Sequence, residues 1–544
     1  MKRRLVGGAV AALMMIGVAP MMAKASPDPC APVLACGDDL AEARALETKI
    51  SDHFVWGQVL EADFADASRT PGTVTGVGGW GDSGLWTGTY LAAESYRYAL
   101  AGKYLADPEV QGTARDDWTA QRAEALDRVR AMVAKYHLLT NIGSTWHTST
   151  RVPPYVNPTN PSDRPDFGGG VIQGEPGMLM RACAPTDAPA KWAMGRNQRV
   201  FELPSDPNAT WTDGKRYLCE TAPSRDTYAG TTFGLLAAFD MVSGDDPAMR
   251  ASIRDDILTL AGFLVKYGWN YPRPHGYVSL PPVGHDFDNF VSPLFVYVPM
   301  ARLNMAQAAR HVASVGGTST QQAQWQAVWA EELASQGPIL AASMEVDAVQ
   351  PNAGYYKFNL HHLTGLSLTR LEVDPTVQLL FKQALGVMDK TTGDDVNAHF
   401  EAITYGLTGE QPRLDAAVQH LREWRSYRSR TDTGVETVNS TKCAVSIQCV
   451  PDDQYDVMID PSLDVMVPGT VTKQRARLPL PVADRPPTDF LWQRPPTQLD
   501  GSSPATHEAP GIDYLLPYWM LRYFTEVAPP ALAPFPAWPG PSHQ

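Results

Sequence analysis

Trp80-Gly-Asp-Ser-Gly-Leu-Trp-Thr-Gly-Thr-Tyr-Leu-Ala-Ala-Glu-Ser-Tyr-Arg-Tyr-Ala99 opens with a Gly-rich turn that delivers an acid, Asp82, to the start of a patterned run. Trp86, Tyr90, Ala93 and Tyr96-Arg97 then recur at three- and four-residue spacing, the period of a helix. An acid at a helix N-terminus is favoured by the orphan N–H groups and the helix dipole, so a plain cap explains Asp82 as well as a chemical role does. Tryptophans, glycines and an acid in one turn instead suggest the floor of a concave site.

Outward from this stretch the chain reads as helical. A helical pattern from about Ala41 to Phe64 places Leu46, Ile50, Phe54 and Leu60 on one side, and a second helix covers Trp118 to Tyr136. A long irregular segment, about 141–223, reads as a decoration over one face. Helical pairs follow: Asp226–Val242 with Met249–Tyr267, Phe290–Ser314 with Thr320–Leu340, Leu360–Glu372 with Val377–Met388, and Ala398–Leu407 with Pro412–Tyr427. Short Asp/Pro/Gly connectors reverse the chain between the members of each pair. A Thr/Pro/Asp-rich arm leads to a last helix, Gly511–Thr525, and a Pro-rich tail. The expected architecture is mainly α, an (α/α)6-type toroid of helical hairpins with long irregular loops and a C-terminal arm. Its divisions are a signal peptide over 1–25, the toroid over 26–428, the arm and closing helix over 429–527, and the tail over 528–544.

The address and charge narrow the function. Lys2-Arg3-Arg4, an apolar run to Met22 and Ala23-Lys24-Ala25 form a secretory signal, so an exported, periplasmic or extracellular protein is expected. No later stretch reaches the length of a membrane span, about 18 apolar residues. Losing four basic residues with the signal takes the formal charge from −14 to −18, which argues against nucleic acid as a partner. Six cysteines fall in local pairs, Cys30/Cys36, Cys183/Cys219 and Cys443/Cys449; short loops close most easily, so neighbours are expected to pair.

Gly81-Asp-Ser-Gly-Leu-Trp-Thr-Gly-Thr-Tyr-Leu-Ala-Ala93, followed by Ser224-Arg-Asp-Thr-Tyr-Ala-Gly230 at the head of an apolar helix, resembles the six-hairpin glycosidase superfamily. The resemblance implies a helical toroid with its cleft at one rim. Relatives often carry Asp-Glu and then Gly-His in the second motif; this chain has Arg225-Asp226 and no His in that turn.

Three constellations carry candidate chemistry. The first pairs Asp82 with Asp226 as catalytic acids, each opening an inner-type helix. Burial among Trp80, Trp86 and Tyr228 would raise one carboxyl and leave the other ionised, the state that glycoside hydrolysis needs. Trp80, Trp86, Tyr90, Arg225, Tyr228, His361, His399 and Trp492 are the expected substrate-binding residues. The second constellation sets His361 or His399, with a Tyr and Arg225, to work as a polysaccharide lyase. The third is His285-Asp-Phe-Asp-Asn289, where Asp286 and Asp288 weakly suggest a structural calcium. No catalytic metal motif and no nucleotide-cofactor motif occurs, so no cofactor is expected. The leading expectation is a secreted glycoside hydrolase acting on a poly- or oligosaccharide. A lyase and a non-catalytic glycan-binding or envelope scaffold protein are the alternatives.

Overall fold

The structure, a computed structural model, describes residues 34–145, 174–195, 200–203, 214–221, 223–269, 297–347, 356–393, 397–428 and 504–528, with short pieces at 449–451 and 474–476 and the single positions 395, 482 and 496. The chain is mainly helical. The helices are α1 (Gly37–Lys49), α2 (Ser83–Ala106), α3 (Gly112–Asn141), α4 (Arg225–Met241), α5 (Pro247–Lys266) and α6 (Tyr297–Gly316). They continue with α7 (Ser319–Asp347), α8 (Tyr356–Leu371), α9 (Pro375–Thr392), α10 (Ala398–Thr408), α11 (Gln411–Arg428) and α12 (Ile512–Glu526). Local chemistry sets their ends. Asp246 and Asp374 cap α5 and α9, each followed by a proline at the first helical position, where its missing N–H costs nothing. Gly409 ends α10 in the left-handed conformation at φ +69°.

The even-numbered helices run in the same sense. Met300 and Gln307 of α6 meet Gly365 and Glu372 of α8. Asn359 of α8 bonds His399 of α10, and Tyr90 and Tyr96 of α2 lie in step with Trp519 and Tyr523 of α12. Helix α4 packs on α2, α6 and α8, and α12 lies against both α10 and α2. Each even-numbered helix from α2 to α10 is joined to the odd-numbered helix after it by two to five residues. Most connections into the even-numbered helices are far longer, so the extra chain gathers at their N-terminal ends.

The closest packing is between α2 and α4. A Cβ on Gly88 would lie 1.9 Å from the Gly230 carbonyl oxygen, one on Gly234 2.4 Å from the Gly88 oxygen, and one on Gly230 2.6 Å from Leu85 Cα. Backbone therefore rests on backbone, an approach that only glycine permits. The equivalent squeeze in α10 is at Gly406, where a Cβ would lie 2.1 Å from the Phe524 ring of α12.

A buried charge network ties α1 to α2, α3 and α12. Arg97, without accessible surface, donates to Glu94 Oε2 (2.5 Å) and Glu124 Oε2 (3.0 Å). Glu47 of α1 accepts from Tyr90 (2.9 Å), Trp519 (2.8 Å) and Arg128 (2.5 Å). Burial pushes both carboxyls up; at Glu94 it prevails, reaching about 8, while at Glu47 the guanidiniums of Arg97 and Arg128 hold the carboxyl below its usual range.

Two expectations are corrected here. The pattern expected to be helical to Phe64 breaks after α1 and a short turn, giving β1 (Phe54–Val55), β2 (Gln58–Val59) and β3 (Glu61–Phe64), with β4 (Val74–Gly78) beside β3. The cause is Trp56-Gly57, both at positive φ (49° and 75°), the two-residue turn that joins a tight hairpin. The segment expected to be irregular over 141–223 holds an ordered sheet: β5 (Ala182–Pro185), β6 (Val200–Leu203) and β7 (Tyr217–Glu220), antiparallel in the order β5-β7-β6. Cys183 and Cys219 face each other in that register and form a disulfide, as their spacing suggested. Cys36 is also disulfide-bonded. Cys449 begins β8 (Cys449–Pro451), which pairs with β9 (Gln474–Ala476), and β10 (His507–Glu508) joins β3. Cys30, Cys443, the signal segment and the Pro-rich tail lie outside the described residues.

Gly88→Ala is expected to destabilise the protein by about 3 kcal/mol, the upper range for overpacking. Gly102→Ala on the same helix meets nothing closer than 3.8 Å and is expected to stabilise it by about 0.5–1 kcal/mol. Urea denaturation of both variants checks the contrast.

Candidate functional site

The glycine contact sets the N-termini of α2 and α4 side by side, with Gly84 against Thr227. Gly79 turns the chain into α2 at φ +70°, and a Cβ there would lie 2.3 Å from the Trp86 ring. Its carbonyl accepts from the amides of Asp82 (3.0 Å) and Ser83 (3.1 Å). Asp82 has helical backbone angles, φ −105° and ψ −7°, and its side chain makes no capping bond. At α4 the cap is Ser224, extended at φ −123°, in a reciprocal capping box with Thr227. Asp226 falls at the second helical position. Neither acid serves as the side-chain cap of its helix.

Asp226 keeps part of its surface accessible, yet its carboxyl is crowded and held above the usual aspartate range. Burial is the main cause; Arg181 opposes it, the charge of Asp82 adds to it, and Arg225 opposes it less strongly. The two acids therefore feel each other across the helix contact.

Arg181 and Glu220 lie beside the first turns of α2 and α4. Arg181 Nη1 lies 3.8 Å from Glu220 Oε1, and its Nε donates to Thr227 Oγ1 at 3.4 Å. A Cβ on Gly81 would meet Arg181 Nη1 at 3.6 Å and Glu220 Oε1 at 3.9 Å, so this ion pair borders the turn that carries Asp82. Buried Gln58 holds the sheet in place, donating to the Cys183 carbonyl (2.7 Å) and accepting from the Cys183 amide (2.9 Å). Sequence reading passed over Arg181 and Glu220. Their signal lay in the cysteines: pairing Cys183 with Cys219 in an antiparallel register puts Ala182 opposite Glu220, with Arg181 next in line.

Of the expected aromatic residues that lie among the described residues, only Trp80 keeps an accessible face, half-buried beside the small core of β5, β6 and β7. Trp86 is fully buried beneath Gly79. Tyr228 is buried beside a small cavity lined also by Thr232, Asn304 and Thr364, with room for about one water. Tyr90 belongs to the Glu47 network. These three support the site from below and present no surface for stacking on a sugar. Arg225, half-buried, opens α4 beside Asp226.

The histidines expected to bind substrate are buried as well. His361 is buried, with Nε2 3.2 Å from the Ala384 carbonyl oxygen of α9. His399 is buried against Asn359 Oδ1 at 3.1 Å; burial first, then the neighbouring His362, keeps its imidazole well below the ordinary range. Side chains with few or no free hydrogen-bonding surfaces fill a helix interface here. Trp492, Asp286 and Asp288 lie outside the described residues, and among those described no group of three or more His, Cys, Asp or Glu is placed to hold a metal ion. No described helix is long and apolar enough to cross a membrane.

No family model, curated protein or solved structure matches this chain. The function must be read from the site alone.

Asp82→Asn removes a like charge and is expected to lower the pH at which Asp226 titrates. Carboxyl-carbon NMR of the two forms measures the shift; an unchanged midpoint would show that the acids do not interact.

Proposed function

We propose that this protein is an exported glycoside hydrolase that uses Asp82 and Asp226 as a carboxylate pair at one rim of an (α/α)6 toroid. The toroid reading draws support from the shared direction of the even-numbered helices and from α12 lying against both α10 and α2. The gathering of long connections at the N-terminal ends fits a cleft on that rim. A resemblance to six-hairpin glycosidases is part of the same reading, as is export, which rests on the N-terminal signal and agrees with the Cys183–Cys219 disulfide.

One observation carries the chemistry: two acids, neither serving as a side-chain cap, at the adjoining first turns of α2 and α4. Asp226, raised chiefly by burial, is the member that holds its proton to higher pH than an ordinary aspartate and acts as acid on the glycosidic oxygen. Asp82, half-buried at the turn, is the carboxylate that activates water or attacks the anomeric carbon. Trp80 offers a face for a sugar ring, and Arg225 a cation at the rim. The lyase reading has less support, because His361 and His399 are buried and hydrogen-bonded. The scaffold reading predicts retention of a glycan with no turnover.

The test is turnover on a glycan panel. Asp82→Asn and Asp226→Asn are each expected to lose more than about a hundredfold in rate, the scale of a missing acid or base. Asp226→Asn is also expected to be at least as stable as the wild type at pH 7. The sign follows from linkage: a carboxyl raised in the folded state binds its proton more tightly there, so wild-type stability falls as pH rises through that raised value, and the amide escapes the loss. Full activity in both variants would remove the pair from the mechanism, and an unsaturated, ultraviolet-absorbing product would identify a lyase.

A further inference from the structure

A second concavity opens near the C-terminal ends of α4 and α8, away from the acids. It is a cleft of about 360 Å³, open to solvent, between α2, α4 and α8. Buried side chains make its walls: Phe233, Leu236 and Ala237 of α4, Leu366 of α8 and Tyr96 of α2. Two exposed side chains of opposite charge, Asp240 and Arg370, stand at its mouth. Asp240 lies 14 residues beyond Asp226 on the same helix, about 20 Å along its axis, so the cleft is separate from the carboxylate pair.

Neither charge is used up within the fold. Arg370 lays its guanidinium over the Phe524 ring (4.9 Å) and near that of Tyr523 (5.9 Å). Its N–H groups make no hydrogen bond or ion pair among the described residues. Asp240 accepts from His311 Nε2 (2.7 Å) at one oxygen, which leaves the other open. Asp240 is also the last residue but one of α4, at an end where the helix dipole favours a cation and disfavours an acid. A local rule broken in this way is expected where function requires it. Both charges bear on the Tyr96 phenol between them. Burial holds that phenol above its ordinary range, with Arg370 opposing and Tyr523 and Asp240 adding.

We propose that this cleft binds a small zwitterion with an apolar body, namely a free apolar α-amino acid. Asp240 meets the ammonium, helped by the negative end of α4. Arg370 meets the carboxylate with its planar fork, and the apolar side chain is buried against Phe233, Leu236 and Leu366. Charge complementarity selects this class. A plain carboxylic acid would bring its charge up against Asp240, and a plain amine would bring its charge up against Arg370. The proposal stands independently of the hydrolase reading.

The experiment is a calorimetric titration of the full chain with L-leucine, isocaproate and isoamylamine, the last two lacking the ammonium and the carboxylate respectively. L-Leucine is expected to bind saturably, and each analogue at least about tenfold more weakly, the scale of one lost charge-assisted hydrogen bond. Asp240→Asn and Arg370→Gln are each expected to weaken leucine binding by a similar factor; both positions are exposed, so the fold should survive. Ala237→Phe fills the cleft and is expected to abolish binding. Absence of saturable leucine binding would overturn the proposal, as would equal binding of either analogue or wild-type affinity in either charge variant. Should Ala237→Phe fail to fold, the two charge variants still decide the matter.

Discussion

Backbone contact between α2 and α4 is the constraint on which the rest of the site depends. Gly84, Gly88, Gly230 and Gly234 remove the side chains that would hold two helices about 8–10 Å apart, and the helices settle in parallel with their first turns adjacent. Parallel helices in contact align their dipoles unfavourably, so the arrangement needs compensation from packing and from groups at the N-termini. Acids there are the natural compensating charge. The same contact thus brings Asp82 and Asp226 together and provides the positive helix ends that tolerate them. Burial then holds the Asp226 carboxyl above its usual range.

The surroundings of α2 hold that contact in register. Tyr136 of α3 donates to the Gly84 carbonyl at 2.7 Å, and Thr87 accepts from the Val59 amide of β2 at 3.0 Å. Further along, Arg97 and Glu47 link α2 to α1, α3 and α12. A buried ion network is a weak source of net stability, because desolvation offsets much of the attraction. Its value here is registry: each partner accepts only one geometry, and a slip of α2 would leave Arg97 unpaired in a site with no accessible surface. Close backbone packing and a unique charge network thus constrain the same helix from its two ends.

Much of this was legible in the residues. Periodicity and Asp-Pro or Gly punctuation placed α4 with α5, α8 with α9 and α10 with α11 near their observed bounds, because surface helices must repeat at 3.6 residues. The acids at the heads of α2 and α4 and the Cys183–Cys219 pair were also readable. The aromatics were not, since Trp86, Tyr90 and Tyr228 carry the same spacing whether a helix buries them or lines a cleft with them. Leu46, Ile50, Phe54 and Leu60 mimicked one helix across a hairpin whose two-residue turn outweighed the pattern. The glycines suggested a site floor; Gly84 and Gly88 also let α2 meet α4, which no local pattern shows. Arg181 and Glu220 meet only once the sheet is folded over the helix ends, and the Cys183/Cys219 spacing was the one sign of that sheet.

The most direct test of the central claim is a double-mutant cycle of Asp82→Asn and Asp226→Asn on unfolding free energy at pH 8 and pH 3. Adjacent ionised acids repel, so either substitution should relieve most of the repulsion and the pair should be non-additive by at least about 0.5 kcal/mol at pH 8. At pH 3, with the raised Asp226 carboxyl protonated, the coupling should fall away. Additive effects at pH 8 would mean that the glycine contact does not bring the two carboxylates together, and the site would have to be sought elsewhere on the chain.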